Sequence, residues 1–219
     1  MNLPMENKHW WIFGAVIIII ILLVIVFGSG PVIPVQNASP GTGNSPGPGS
    51  GQVQGTGPGA GGGTPTLLQR MDMTPLTETE AADILFMREE EQLAYDAYTR
   101  WAGKYPVPVF SNIAGSELTH YSEVQLLIDR YGLSDHRIGN ASSGYTSPVI
   151  QSLYTRLSAQ GDTSQTLAFE AGLAIEEVDI ADLDRVAANT TRADVRQVYA
   201  ILRQGSENHK SAFLRQLGR

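Results

Sequence analysis

The word Glu117-Leu118-Thr119-His120 sets a carboxylate and an imidazole three residues apart. On an α-helix, residues i and i+3 share a face, close enough to bind one cation together or for the carboxylate to bridge two. Alone, such a word is weak evidence. It has company in Glu91, in the acids Glu176 and Asp179 spaced three apart, and in His209. Oxygen and nitrogen donors suit iron(II), manganese or zinc. The 219-residue chain has no cysteine, so thiolate ligands and disulfides are excluded.

The helices that must carry these residues are legible from their punctuation and period. Thr77-Glu78-Thr79-Glu80 reads as a capping box that starts a helix near Glu78. Its apolar stripe runs Ile84, Met87, 91, Ala94, Tyr98, Trp101. A second helix begins around Ser111 or slightly earlier, after Pro106 and Pro108, with the stripe Phe110, Ile113, 117, 120, Val124, Leu127, Tyr131, and is closed by Gly132. Ser147-Pro148 opens a short crossover helix with Ile150, Leu153 and Leu157 inward and Gly161 as its stop. A third long helix from about Thr163 carries Phe169, Gly172, 176, 179, Leu183 and Val186. The last, from about Thr191, carries Val195, Tyr199, Leu202, 206, 209, Phe213 and Gln216, with Leu217 beside them.

Each long helix is thus interrupted at mid-stripe by polar residues at comparable depth: Glu91, Glu117 with His120, Glu176 with Asp179, and Ser206 with His209. A single interruption has an ordinary explanation, since a glutamate can snorkel outward or pair with an arginine. Four carboxylates converging with no Lys or Arg on the same stripes cannot all stay ionised. Burying one unpaired carboxylate costs several kcal/mol, so the group needs shared protons or cations. Four carboxylates and two neutral histidines balance two divalent ions.

Residues 80 to 217 also carry words that resemble a family of prokaryotic proteins known as DUF2202, a domain of unknown function within the ferritin-like superfamily. The words are Met87-Arg88-Glu89-Glu90-Glu91-Gln92-Leu93-Ala94, Pro108-Val109-Phe110-Ser111-Asn112-Ile113-Ala114, Ser116-Glu117-Leu118-Thr119-His120, Asp129-Arg130-Tyr131-Gly132-Leu133, Glu176-Glu177-Val178-Asp179-Ile180-Ala181-Asp182-Leu183 and Gly205-Ser206-Glu207-Asn208-His209. Within the superfamily the rubrerythrin-like pattern is nearest. Its first-helix Glu, with Ala three on and Tyr seven on, falls on Glu91, Ala94 and Tyr98. Its Glu-x-x-His falls on Glu117 and His120, and its third-helix acids on Glu176 and Asp179. The fourth helix departs, with Ser206 where superfamily members usually have a second glutamate. Glu207 cannot replace it, being about 100° round the helix.

The resemblance implies an all-α, ferritin-like four-helix bundle with a short crossover helix, and a di-iron centre held by Glu91, Glu117, His120, Glu176, Asp179 and His209. Manganese or zinc remain alternatives to iron. Asp179 either restores the fourth carboxylate from the opposite helix, or the site holds one ion. Tyr98 and Tyr199 stand one to two turns from the ligands, where they could hydrogen-bond, relay electrons or simply fill the core. Ser206 reads as a core serine bonded to its own helix.

Ahead of this domain, residues 10–27 are almost wholly apolar and uncharged. At 1.5 Å per residue they reach roughly 27 Å, enough for one membrane span, and Trp10 and Trp11 suit the interface. A cleaved signal peptide would have a shorter apolar core. Lys8 lies on the N-terminal side and the next basic residue is Arg70, which leaves the N-terminus in the cytoplasm and the rest outside. Residues 28–75, dominated by Gly, Pro, Ser and Thr, read as a flexible linker reaching roughly 30 to 40 Å. The expected organisation is therefore a stub at 1–9, a transmembrane helix at 10–27, a linker at 28–75 and the folded domain at 76–219.

A net charge of −7 without a Lys/Arg cluster argues against nucleic acid as a partner. The expected function is a membrane-tethered metal protein with oxidoreductase chemistry toward peroxide or oxygen, or ferroxidase-like chemistry. A metal-sequestering module and a purely structural interaction domain are the alternatives. Any electron donor would be a separate protein, since the chain has no rubredoxin-like cysteine module, and a homodimer is compatible with the sequence.

Overall fold

The computed structural model describes residues 64–71, 73–135 and 144–219. Among these residues the chain is all α, with six helices: α1 (Thr64–Gln69), α2 (Glu78–Lys104), α3 (Pro108–Tyr131), α4 (Pro148–Gly161), α5 (Gln165–Asn189) and α6 (Ala193–Gln216). The apolar run at 10–27, most of the linker and His136 lie outside the described residues. Among the described ones, no helix is long and apolar enough to cross a membrane.

The caps explain where the helices begin and end. Thr77 and Glu80 form the expected reciprocal box. Gly132 takes the left-handed conformation that ends α3, at φ 61 and ψ 35, with Leu133 N–H donating to the Ile128 carbonyl. Ser147 caps α4 ahead of Pro148, and Ser164 caps α5. The third and fourth long helices start about two residues later than their sequence signals suggested. α4 ends at Gly161 as its sequence signalled, though not through a left-handed glycine: the missing side chain makes room for the Trp101 indole.

α2 and α3 form one hairpin and α5 and α6 another, with α2 against α5 and α3 against α6. Tyr98 meets Glu176 and Asp83 meets Asn189, so α2 and α5 are antiparallel. His120 meets His209 and Arg130 meets Asp194, so α3 and α6 are antiparallel as well. It follows that α3 and α5 run the same way, and the connection between them must travel the length of the bundle. Residues 132–164 do this through α4, which packs on α5 and α2. The start of α4 is hooked to α2 by Glu89, which accepts from Thr146 N–H at 2.6 Å and Ser147 N–H at 2.8 Å.

The interior has two apolar clusters. One gathers Tyr98, Trp101, Phe110, Phe169 and Phe213 with Ile150, Leu153 and Leu157 of α4. The other gathers Ile84, Met87, Val124, Leu127, Leu183, Val195 and Leu202. Each large side chain buried here contributes about 1.5–3 kcal/mol. α1 falls inside the stretch expected to be linker, because Leu68 interrupts the Gly/Pro-rich pattern and is buried in the second cluster. Between the two clusters lies a polar layer.

Candidate metal centre

That layer draws Glu91 from α2, Glu117 and His120 from α3, Glu176 and Asp179 from α5, and Ser206 and His209 from α6, all buried. Glu117 is at its middle. Its Oε2 is 2.8 Å from His120 Nδ1 and its Oε1 is 2.8 Å from His209 Nδ1. Glu91 Oε2 stands 3.3 Å from the same His120 nitrogen, and Glu176 Oε2 stands 3.6 Å from the same His209 nitrogen. The two imidazoles stack with centroids 5.3 Å apart. Donor atoms of Glu117, His120 and His209 all lie within 4.8 Å of one another, a group that could hold a metal ion.

At 2.8 Å the Glu117 contacts are close ion pairs when the imidazoles carry protons, yet their hydrogen-bond alignment is poor. Both Nδ1 atoms, Glu117 Oε1, Glu91 Oε1 and Asp179 Oδ1 are buried without an aligned partner. Buried polar atoms are rarely left so. With the imidazoles neutral, these atoms turn their lone pairs on a shared space, as a donor set for a cation would.

The surroundings hold this set in place. Tyr98 donates a short hydrogen bond to Glu176 Oε1 and lies 3.3 Å from the Gly172 carbonyl. Ser206 donates to Asp179 Oδ2, and its oxygen is also 3.0 Å from the Leu202 carbonyl, so one hydroxyl proton serves two acceptors. A Cβ on Gly205 would overlap Cε1 and Nε2 of His120, so only glycine lets that imidazole lie against α6.

Without a cation the layer stores protons. Burial pushes the Glu91 carboxyl up to about 7, His120 only partly offsetting it. Burial and the neighbouring Glu117 charge push Glu176 up to about 7 against His209 and Tyr98. Burial, with Glu91 adding to it, raises Asp179 well above the ordinary range despite Ser206. Burial works to raise Glu117 as well, but His209 and His120 hold it below the usual carboxylate range. Burial opposes charging the histidines, yet Glu117 lifts His209 to about 10 and His120 well above 6.5.

A family model described as "Uncharacterized protein domain (DUF2202)" matches residues 80–219. The chain belongs to the DUF2202 family. It is 38% identical over 143 residues to the uncharacterized protein MJ0754 of Methanocaldococcus jannaschii, covering 65% of this chain and 77% of that one. The crystal structure of the hypothetical protein MJ0754 aligns with a TM-score of 0.65 at 36% identity, over 68% of this chain and 85% of that one.

In this DUF2202 domain the six residues singled out by spacing come together, and Tyr98 and Ser206 touch them. Tyr199 does not. It lies seven residues before Ser206, about 10 Å down α6. There it packs in the second apolar cluster, where burial pushes its hydroxyl pKa up and the nearby Asp83 charge adds to the shift. Glu90 and Asp182, both buried, escaped the sequence reading. Glu90 sits in an Arg-Glu-Glu-Glu run, off the face of α2 that the apolar stripe marks. The run is buried because α2 is covered by α3, α5 and α4 together.

Proposed function

We propose that this domain is a ferritin-like metal protein whose Glu91, Glu117, His120, Glu176, Asp179 and His209 hold two divalent ions, iron in preference to manganese or zinc. The observation that carries this is Glu117, whose two oxygens stand 2.8 Å from imidazole nitrogens, one of His120 on its own helix and one of His209 on α6. The charge sum supports two ions: four buried carboxylates and two neutral histidines leave −4, which two divalent cations balance. Asp179 supplies from α5 the carboxylate that α6 lacks at Ser206, and the serine orients it.

An iron pair would supply redox chemistry toward peroxide or dioxygen. The chain's own part is to present the donors, exclude water and manage protons. Both histidines must give up their protons for Nδ1 to bind, so loading releases protons. Tyr98 fixes Glu176 by holding Oε1, which leaves Oε2 turned toward His209. The apolar clusters above and below keep the layer dry. With the apolar run at 10–27 as an anchor and the Gly/Pro-rich segment as a tether, the domain would sit outside the cytoplasmic membrane, with a separate protein as electron donor.

Metal content of the full-length chain after iron(II) addition tests the binding, and stopped-flow absorbance after peroxide addition to the ferrous form tests the redox step. Stoichiometric iron that changes spectrum within a turnover is the expected result. Bound but unreactive iron would make the domain a sequestering module, and no bound metal would leave a structural polar layer.

A further inference from the structure

α4 covers α2 and α5, and the opposite side of the bundle is left to α3 and α6. That side presents no charge. From Pro108 to Leu126 the acidic and histidine side chains of α3, Glu117, His120 and Glu123, are all buried, no Lys or Arg occurs, and what reaches solvent is uncharged. α6 continues the pattern. Its Ile201, Asn208 and Ala212 share the side of Gly205, which meets His120 of α3, whereas Arg203 and Lys210 turn the other way to pair with Asp184 and Glu177 of α5.

The hydroxyls on this face make little demand on water. Ser111 Oγ donates to the Pro108 carbonyl at 3.0 Å, Thr119 Oγ1 to the Gly115 carbonyl at 3.2 Å and Ser122 Oγ to the Leu118 carbonyl at 2.8 Å. A hydroxyl has one proton to give, so all three can be buried with no donor left unmet. Among them stands Leu118, 49% exposed, the one large apolar side chain left exposed on the four long helices among the described residues.

We propose that the outer face of α3, with the adjoining side of α6, pairs with the same face of a second copy of this chain about a two-fold axis near Leu118. Charge selects that occupant. At a net charge of −7, copies repel one another through acidic faces such as that of α5, and an oppositely charged partner would be steered there; a face without charge admits a like-charged copy. Its size is also sufficient. Pro108 to Leu126 runs about 28 Å and two helices side by side span about 20 Å, a projected area of roughly 550 Å², which side-chain relief brings toward the roughly 800 Å² per partner of a stable interface. In such an isologous contact a residue beside the axis meets its own counterpart, so Leu118 packs on the second copy's Leu118. The contact closes over the seam beneath which His120 and His209 stack, but it needs no metal.

Sedimentation equilibrium of the full-length chain in detergent, with single-thiol cross-linking, tests this. Wild type should have the mass of two chains, and Leu118→Arg should raise the dimer dissociation constant at least about 30-fold while leaving the circular dichroism spectrum unchanged. The chain has no cysteine, so Leu118→Cys introduces a lone thiol, which mild oxidation should cross-link, whereas Asp184→Cys on α5 should stay uncross-linked. A monomeric wild type, a dimer that Leu118→Arg does not weaken, or equal cross-linking of the two thiol variants would overturn the proposal. So would a spin label on Leu118→Cys that is mobile in detergent at every protein concentration and immobilised only when the protein is sparse in phosphatidylcholine liposomes, which would give the face to a lipid surface. Iron content of the same samples reports on the Glu/His centre alone: a dimer without iron sinks that centre and leaves the pairing standing.

Discussion

Glu117 spans two histidines from different helices, with one oxygen 2.8 Å from His120 Nδ1 on its own helix and the other 2.8 Å from His209 Nδ1 on α6. It is the only acid of the layer held below the ordinary carboxylate range by imidazoles on both sides. Glu117→Gln keeps the shape and removes the charge. Manganese or iron affinity should fall at least about 100-fold, measured by titration of the metal-free chain. Glu117→Ala should also destabilise the metal-free protein by about 3–5 kcal/mol, because two protonated imidazoles would face each other without a counter-charge. Unchanged affinity in both variants would place the ligands elsewhere.

The layer makes stability depend on pH. Glu91 and Glu176 hold protons up to about 7 instead of 4.5, and His209 up to about 10 instead of 6.5. Through that window the folded state binds more protons than the unfolded state, so stability falls as pH rises. The carboxyl contribution is whole below 4.5 and gone above about 7, while that of His209 is whole below 6.5 and lost through about 10. Thermal melts with chelator should therefore show Tm dropping between about pH 5 and about pH 8, and metal should flatten the slope. A Tm that rises over that range without metal would contradict these ionisation states.

Glycines on two of the helices should behave oppositely. Gly205 has the His120 ring where a side chain would go, while Gly115 has open space around its missing Cβ. Gly205→Ala should cost about 1–3 kcal/mol by overpacking and weaken metal binding by displacing His120. Gly115→Ala should gain about 0.5–1 kcal/mol, because alanine suits a helix interior better. Urea unfolding of both variants beside a metal titration separates the steric effect at the site from a general one.

Tyr98→Phe removes the hydroxyl that holds Glu176 Oε1 and leaves the ring packing with Trp101 and Phe213 in place. Metal affinity should fall about 10- to 100-fold, as for loss of a partner that orients a ligand. The pH dependence of binding should also move upward, because Glu176 loses a hydrogen bond that favours its charged form. An affinity drop without that pH displacement would mean that Tyr98 serves packing alone.

The arrangement of the layer was legible because it interrupts strong period-3.6 stripes. Glu91, Glu117, Glu176 and His209 each stand where an apolar residue would otherwise complete a buried face, and the structure buries all of them. Capping chemistry set the start of α2 and the end of α3 for the same reason, since Thr77 with Glu80 and Gly132 have few other uses. What escaped depended on tertiary coverage. Nothing in the local pattern shows that α4 will lie along α2, so the burial of Glu89 and Glu90 has no local signal. Tyr199 stands two turns from Ser206, as its place in the stripe implies, and there it fills the second apolar cluster; only packing decides between core filling and contact with the layer. Gly161 was legible as the end of α4 and Gly205 carried no local signal, although each makes room for an aromatic or imidazole ring from another helix.

Because every long helix contributes to the one polar layer, the layer reads out alignment between the two hairpins. Within each hairpin a short connection limits sliding, but α2 and α5 meet only after the long passage through α4. A slip of one turn there, about 5.4 Å, would bring Leu183 to the height of Asp179 and set a methyl-rich side chain against Glu91. Such a state could satisfy much of the apolar packing and still hold no cation. A bound ion therefore acts as a proofreader of assembly, rewarding only the alignment in which all four helices have docked at the right height.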